Sequence, residues 1–309
     1  MSDRRFKEDF PTVYVLLAAY NGMEWIDDQV KSILNQEKVS IHLFISVDRS
    51  TDLSYEWCEK LAISDSRVEV LPYGERFGSA AKNFYRLIYD INFSNSNYVA
   101  FSDQDDIWLP NKIYTAVVKM NMSLSDGYSS NLTCFDSVNK KEWILKKDST
   151  QTTFDYLFQG GSAGCTYVIS NQLASKIQAI VGSNLASCDL AISHDWLIYA
   201  ISRSYNYKWY IDSNSYIRYR QHDHNVQGAL PGVSGHVDRL RRFQNGWYKS
   251  SILSLQPFLI KSINEIRIFE RIKRFSLLDR VWLAANCLKF RRNKWEAIAM
   301  AFVFIFGKM

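Results

Sequence analysis

Three carboxylates in residues 103–106 are the strongest chemical feature of this chain. Asp103, Asp105 and Asp106 directly follow residues 97–101, Asn-Tyr-Val-Ala-Phe, which have the composition of a β-strand. Carboxylates this close repel one another unless a positive charge neutralises them. A hard divalent cation with oxygen ligands, Mg²⁺ or Mn²⁺, is the natural partner for such a cluster. The alternative interpretation of so short a motif is a solvated acidic turn.

The segments before this cluster alternate between strand-like and helix-like patterns. Four apolar runs predict strands, at residues 12–19, 41–47, 68–71 and 98–101. The segments between them predict helices, at residues 24–36, after residue 52 and at 80–91. This alternation favours an α/β fold with a doubly wound, mostly parallel, Rossmann-like sheet. Because ligands bind beyond the carboxyl ends of such strands, Asn21, Asp48 and Asp103 are predicted to converge.

The C-terminal quarter of the chain differs from the rest in charge. Residues 1–234 hold 22 Lys and Arg against 27 Asp and Glu, whereas residues 235–309 hold 15 against 5. Aromatic residues interleave with these basic residues, which predicts a helical region on an anionic membrane surface or packed as a cap on the first domain. We expect two domains, 1–232 and 233–309. The closing apolar run, 297–306, is too short to span a bilayer, which needs about 20 residues.

Other classes of protein fit the sequence less well. The five cysteines show no paired spacing, which is unlike a disulfide framework or a zinc site and fits a reducing cytosol. The N-terminus is polar and shows no secretory signal pattern. Nucleic-acid binding by the basic region would leave the acidic cluster without a role, and no recognised motif supports it. A metal-dependent phosphohydrolase would carry its nucleophilic Asp after the first strand, where this chain has Tyr20, Asn21 and Gly22.

Several motifs in order resemble the family 2 glycosyltransferases, inverting enzymes of the GT-A fold, over roughly residues 12–232. Residues 18–22, Ala-Ala-Tyr-Asn-Gly, resemble the loop that lies along the donor nucleotide. Asp48 stands where the family contacts the base, with Val47 and Arg49 in place of the usual flanking Asp and Gly. The donor-binding residues that this resemblance implies are Ala19, Tyr20, Asn21, Asp48, Arg76, Lys82, Asp103 and Arg220.

The resemblance also implies a metal site. Residues 102–108, Ser-Asp-Gln-Asp-Asp-Ile-Trp, closely match the metal-binding motif of the family, so Asp105 would bind Mg²⁺ or Mn²⁺ and Asp106 would support it. Residues 219–228, Tyr-Arg-Gln-His-Asp-His-Asn-Val-Gln-Gly, resemble a signature of its rhamnosyltransferase-like members, so His222 would be a second metal ligand or would contact the diphosphate. A divalent cation would stabilise the nucleoside diphosphate that leaves.

Residues 193–196, Ser-His-Asp-Trp, resemble the catalytic motif of the family. Asp195 would deprotonate the acceptor hydroxyl, and His194 would support it by hydrogen bonding. The acceptor-side residues implied by the resemblance are Gly164, Cys165, Thr166, His194 and Trp196. From composition alone, Asp195 could equally be a first-turn helix carboxylate, Asp48 an ordinary turn residue, and the loop at 160–166 a plain turn.

The resemblance implies transfer of one sugar from a nucleotide donor to a saccharide or lipid-linked glycan, with inversion. L-rhamnose from dTDP-rhamnose is the first choice, UDP-hexoses are the alternative donors, and a degenerate GT-A scaffold is the alternative to an enzyme. The family's Gln-x-x-Arg-Trp motif is absent, which argues against a processive synthase. We expect a cytoplasmic enzyme held peripherally on the anionic cytoplasmic face of a bacterial inner membrane.

Overall fold

The first four strands form the parallel half of a mixed sheet, as the sequence predicts. The computed structural model describes residues 10–136, 139–188, 193–222 and 246–307. The strands in this part of the chain are β1 Thr12–Ala19, β2 Ser40–Val47, β3 Val68–Val70, β4 Tyr98–Ser102, β5 Ile107–Trp108, β6 Gly127–Asp136, β7 Lys141–Leu145, β8 Val168–Ser170 and β9 Trp209–Arg220. They lie in the order β3-β2-β1-β4-β8-β6-β9-β5, with β7 paired to β6.

The helices that flank the first four strands also follow the predicted alternation. They are α1 Ile26–Leu34, α2 Ser54–Ser64 and α3 Ala80–Asp90. Each differs by at most a few residues from its predicted bounds, because helix ends depend on capping contacts that a periodic pattern does not contain. One residue that was predicted within α1 lies outside the helix. Trp25, predicted on the apolar side of α1, precedes the helix as its N-cap residue.

Beyond β4 the sheet changes direction. β8 lies antiparallel between β4 and β6, whereas β9 runs parallel to β6 and antiparallel to β5. The helices of this half are α4 Lys112–Ser123, α5 Asn171–Ser183, α6 Leu185–Cys188 and α7 His194–Ser204. The start of α7 carries the predicted base, Asp195, and the chain just beyond β9 carries the second predicted metal ligand, His222.

The C-terminal region is helical, as predicted, and packs against residues 152–161 and α7. Its helices in the described range are α8 Trp247–Ser254, α9 Ile263–Arg274, α10 Leu277–Ala285 and α11 Lys294–Phe306. Their buried aromatic residues share one hydrophobic core with Trp196 and Phe158, and the rings of Phe158 and Phe290 stack at 4.4 Å. The domain boundary predicted at 232/233 lies outside the described residues.

Polar contacts reinforce this shared core. The Tyr248 hydroxyl donates a hydrogen bond to the Phe158 carbonyl at 2.6 Å, and the Tyr156 hydroxyl donates one to Glu265 at 2.8 Å. Buried hydrogen bonds of this kind fix the relative position of the elements that they join. Within the described ranges, no helix has both the length and the apolar content needed to cross a lipid bilayer.

Candidate active site

The loops after β1 and β2 are tied together at the carboxyl edge of the sheet. Asn21 adopts a positive φ of 45°, and its side-chain oxygen accepts the Thr51 N–H at 2.8 Å. In return, the Asn21 N–H donates to the Ser50 hydroxyl at 3.0 Å. Ala19 is buried at the end of β1, whereas the neighbouring Tyr20 is 51% exposed. Asn21 therefore shapes the edge of the predicted nucleotide site, and Tyr20 offers an exposed ring there.

Asp48 is buried and bound to backbone groups on both of its carboxylate oxygens. It accepts the N–H groups of Arg49 at 2.7 Å, Phe77 at 2.9 Å and Gly78 at 2.8 Å. Gly78 has a φ of 76°, a conformation that strongly favours glycine. Asp48 thus holds the loop after β3, which carries the exposed Arg76 and leads to Lys82 in the first turn of α3. The structure brings these predicted donor residues to one edge.

The acidic cluster is attached to the end of β1 by Gln104. The Gln104 side chain accepts the Tyr20 N–H at 2.8 Å and donates to the Tyr20 carbonyl at 2.9 Å. Burial, together with the negative charges of Asp105 and Asp195, raises the pKa of Asp103 to about 7. Asp195 therefore lies near enough to Asp103 for its charge to act on that carboxyl group.

The end of β9 supplies the second predicted metal ligand. His222 Nε2 lies 2.9 Å from Asp105 Oδ2, and its ring stacks on Trp25 with centroids 4.1 Å apart. Arg220 holds the same cluster, since its Nε donates to the Asp105 carbonyl at 2.9 Å and its backbone N–H to Asp106 at 3.1 Å. The Arg220 guanidinium therefore positions Asp105. The remainder of the signature, residues 223–228, lies outside the described residues.

Asp105 and His222 bring a carboxylate oxygen and an imidazole nitrogen within 2.9 Å of each other, a hydrogen-bonding distance. Both groups are of the kinds that ligate divalent cations in proteins. Asp103, Asp106 and Cys165 also bring ligand atoms within 4.8 Å of one another. Burial raises the pKa of the Cys165 thiol well above its usual range, so the protonated sulfur is a poor ligand for Mg²⁺ or Mn²⁺. Asp105 and His222 therefore stay the predicted ligands, and the carboxylates of Asp103 and Asp106 lie in the same acidic cluster.

Asp195 lies in the first turn of α7, close to the loop that contains Gly164. One of its oxygens accepts the Trp196 N–H at 2.7 Å. A Cβ added to Gly164 would lie 3.3 Å from the Asp195 Cβ and 2.3 Å from His194 Nε2. Only glycine therefore leaves room for this loop against the start of α7. Gly164, His194 and Asp195 thus lie together at the start of α7.

His194 is a buried neighbour of the predicted base. Its ring stacks on Phe84 with centroids 3.7 Å apart. Burial lowers the pKa of His194 to about 4, against the opposing influence of Asp195, so the imidazole is neutral near pH 7. The buried His194 Nε2 has no hydrogen-bond partner among the described residues, so the predicted support of Asp195 by hydrogen bonding is not seen, and the ring contacts its neighbours by packing.

Three predicted acceptor-side residues do not present their side chains to the site. The Trp196 indole is buried in the core and donates to the Tyr156 carbonyl at 2.8 Å. The buried Thr166 hydroxyl donates to the Ala163 carbonyl at 2.7 Å. Cys165 is buried beside Asp106. Adjacent residues on a helix or turn point in different directions, so a motif continuous in sequence contributes only some side chains to a cleft.

Sequence reasoning missed three residues that position the site. Trp25 packs on His222, Gln104 binds the backbone of Tyr20, and Arg292 donates to the carbonyls of Gly160 at 2.8 Å and Gly161 at 3.0 Å. Gln104 lies between Asp103 and Asp105, and this position in the acidic motif is the one feature of the sequence that could have marked it. Trp25 and Arg292 lie far in sequence from the residues that they contact, and no local pattern marks them.

Comparison with known proteins concerns the family of the chain. A family model described as "Glycosyl transferase family 2" matches residues 14–172. The chain is 38% identical over 290 residues to "dTDP-rhamnosyl transferase RfbG" of Shigella flexneri, which covers 94% of this chain and 99% of that protein.

Solved structures share the fold at low sequence identity. The crystal structure of S. aureus TarS 1-349 in complex with UDP-GlcNAc is 14% identical, with a TM-score of 0.55 over 94% of this chain and 79% of that one. Mannosyltransferase PcManGT from Pyrobaculum calidifontis, in complex with GDP-Man and Mn²⁺, is also 14% identical, with a TM-score of 0.53 over 97% of this chain and 77% of that one. The fold is that of the GT-A glycosyltransferases. The chain belongs to glycosyl transferase family 2 and is therefore a glycosyltransferase.

Proposed function

We propose that this enzyme transfers L-rhamnose from dTDP-rhamnose to a saccharide acceptor, with inversion at the anomeric carbon. The observation that carries the choice of donor is the similarity to the dTDP-rhamnosyl transferase RfbG, which extends over 94% of this chain and 99% of that protein. UDP-hexoses are the alternative donors, since TarS, of the same fold, binds UDP-GlcNAc. Val47 and Arg49 stand beside Asp48 at the predicted base contact, where the sequence departs from the usual family pattern.

In this mechanism Asp195 acts as the general base. Its carboxylate takes the proton of an acceptor hydroxyl while that oxygen forms a bond to the anomeric carbon of the donor. The bond between this carbon and the diphosphate oxygen breaks, and dTDP leaves on the opposite face. The support for this role is the position of Asp195 at the start of α7, where its charge reaches Asp103 and its Cβ lies against Gly164.

The residues that would hold a divalent cation are Asp105 and His222. Bound Mg²⁺ or Mn²⁺ would stabilise negative charge on the diphosphate leaving group. Arg220 holds the Asp105 carbonyl, and Trp25 holds the His222 ring, so each ligand has a second contact that orients it. Arg76 and Lys82 contribute further positive charge near the loops at the donor edge.

We further propose that the acceptor is a lipid-linked glycan of cell-surface polysaccharide synthesis, and that the enzyme works at the cytoplasmic face of the bacterial inner membrane. The net positive charge of residues 235–309, 15 basic against 5 acidic side chains, supports contact with anionic lipid. A degenerate scaffold is a weaker candidate. The geometry of Asp105 with His222, and of Asp195 with Gly164, supports a working site.

Calorimetric titration of the purified chain with dTDP and with UDP, each with Mn²⁺ and with EDTA, tests the proposed donor site. We expect binding of dTDP that requires Mn²⁺ and is at least about tenfold tighter than binding of UDP. A preference for UDP would move the donor to the UDP-hexoses. Failure of both nucleotides to bind with Mn²⁺ would reject the enzyme mechanism and favour a scaffold.

A further inference from the structure

The last helix of the described chain is apolar on its solvent side as well as on its core side. Ala297, Met300 and Phe304 of α11 are buried. The opposite stripe consists of large exposed side chains at intervals of three or four residues: Trp295 is 79% exposed, Ile298 46%, Phe302 62% and Phe306 78%. A surface helix of a globular protein normally carries polar residues on its outer face. The outer face of α11 is therefore built to contact something apolar.

The neighbouring helix α10 also has large apolar side chains exposed to solvent. Leu277 is 72% exposed, Leu278 80% and Val281 51%, and Leu288 in the following turn is 63% exposed. Single exposed apolar residues are ordinary on protein surfaces. Exposed apolar stripes on two helices that pack against each other go beyond this pattern and are of the kind that marks an interaction site.

Arg280 joins the two stripes. Its guanidinium donates to the carbonyls of Phe304 at 2.8 Å and Gly307 at 2.9 Å, and also to the carbonyl of Ile305. This contact sets the Leu277–Val281 end of α10 beside the carboxyl end of α11. We call the eight exposed large apolar residues of α10, α11 and the intervening turn the apolar face: Leu277, Leu278, Val281, Leu288, Trp295, Ile298, Phe302 and Phe306.

The residues around the apolar face carry a net positive charge, which indicates an anionic partner. Residues 273–307 hold seven basic side chains against two acidic ones. Of the two acids, Asp279 is buried and bound to Arg271 and Arg274, whereas Glu296 lies 3.5 Å from Arg291. Lys273, Arg274, Lys289 and Lys294 are exposed. Exposed Trp and Phe among basic residues match a bilayer interface, where rings enter the acyl boundary and basic groups meet anionic headgroups.

We propose that the apolar face docks on an anionic lipid bilayer and that this contact presents the acceptor side of the active site to the membrane. The second part rests on the proposed lipid-linked acceptor. Arg292 lies three residues before Trp295, is largely buried, and donates to the carbonyls of Gly160 and Gly161. Arg292, just before α11, thereby joins this region to the loop that leads to Gly164, and Gly164 lies against Asp195.

Vesicle flotation with the full-length chain tests the docking surface. We expect the wild type to float with vesicles of phosphatidylglycerol and phosphatidylethanolamine and to bind phosphatidylcholine vesicles more weakly. The triple variant W295S/F302S/F306S should lose at least about tenfold in partitioning. The matched control is I63S/M122S, because Ile63 is 87% and Met122 78% exposed on the sheet domain; this control should bind as the wild type does. K289E/K294E should weaken binding to the anionic vesicles alone.

Three outcomes would overturn the inference. The wild type could fail to bind anionic vesicles, or the triple variant could bind as tightly as the control. Alternatively, analytical ultracentrifugation could show a wild-type dimer that the triple variant converts to a monomer without any binding to vesicles, which would assign the face to a second copy of the chain. Mn²⁺-dependent titration with dTDP separates the two proposals. Its failure in the wild type would reject the proposed function, whereas flotation would still decide the docking surface.

Discussion

Asp105 and His222 lie 117 positions apart in sequence, yet their side chains meet with 2.9 Å between Oδ2 and Nε2. The loop after β4 supplies the carboxylate, and the chain just beyond β9 supplies the imidazole. Each partner has a further contact, since Arg220 binds the Asp105 carbonyl and Trp25 stacks on His222. The pair is thus oriented by the protein itself.

Replacing either member of this pair should remove the dependence of nucleotide binding on metal. We expect D105A and H222A each to weaken Mn²⁺-dependent dTDP affinity by at least about tenfold, since second contacts to metal ligands alone are worth about 10- to 100-fold. Calorimetric titration with Mn²⁺ and with EDTA measures the effect. The control is H42A, because His42 lies on β2 away from these loops. Metal dependence that is identical in D105A and the wild type would remove Asp105 from the metal site.

Removing the proposed base should separate binding from transfer. D195N keeps the size and the backbone contact of Asp195 but cannot take a proton, so the rate of sugar transfer should fall by about 100- to 10,000-fold. The affinity for dTDP with Mn²⁺ should stay within about twofold of the wild type, because the base contacts the acceptor. A parallel loss of dTDP affinity would show that Asp195 has a structural role instead.

A methyl group on Gly164 should disrupt the contact between its loop and α7. In G164A the new Cβ would lie 2.3 Å from His194 Nε2, so either the loop or the imidazole must move. We expect a loss of about 1 to 3 kcal/mol in the free energy of unfolding, the usual range for overpacking, together with a slower transfer rate.

Gly160 provides the matched control for this change. A Cβ added there meets its nearest atom, the Trp196 Cα, at 3.5 Å, an ordinary contact distance. G160A should therefore change the stability little. Urea denaturation and a transfer assay compare the two variants, and equal stability of G164A and G160A would contradict the tight packing of Gly164 on His194.

His194 should make stability depend on pH. Burial lowers its pKa from 6.5 to about 4, so the folded state favours the neutral ring. This contribution is fully present above pH 6.5 and is lost as the pH falls from 6.5 to about 4. Over that range the unfolded chain binds a proton at His194, whereas the folded chain does not. The loss at the acid end is about 3 kcal/mol.

The variant H194Q isolates that contribution, since it keeps a polar side chain without a titrating ring. Urea denaturation of H194Q and the wild type between pH 4 and pH 8 gives the difference in unfolding free energy at each pH. The difference should shrink as the pH falls, because only the wild type loses the histidine contribution. A difference that does not change with pH would mean that His194 is not held neutral by burial.

The sequence by itself determined the parallel half of the fold and the chemical types at the site. Period-two and period-3.6 patterns are local, so β1 to β4 and the helices between them could be predicted to within a few residues. The cluster of Asp103, Asp105 and Asp106 could be recognised because like charges so close in sequence need a neutralising partner. The basic, aromatic C-terminal region was predicted as helical from composition, and residues 246–307 are helical.

Only the tertiary structure decided which side chains face the site. The Trp196 indole lies in the core, because neighbouring residues on α7 point in different directions. The Asp48 carboxylate accepts hydrogen bonds from the backbone of the loop after β3. Arg292 reaches the carbonyls of Gly160 and Gly161 from more than 130 positions away. Such contacts depend on how elements distant in sequence pack against one another. Because the packing of the whole core sets this arrangement, a local sequence pattern cannot predict it.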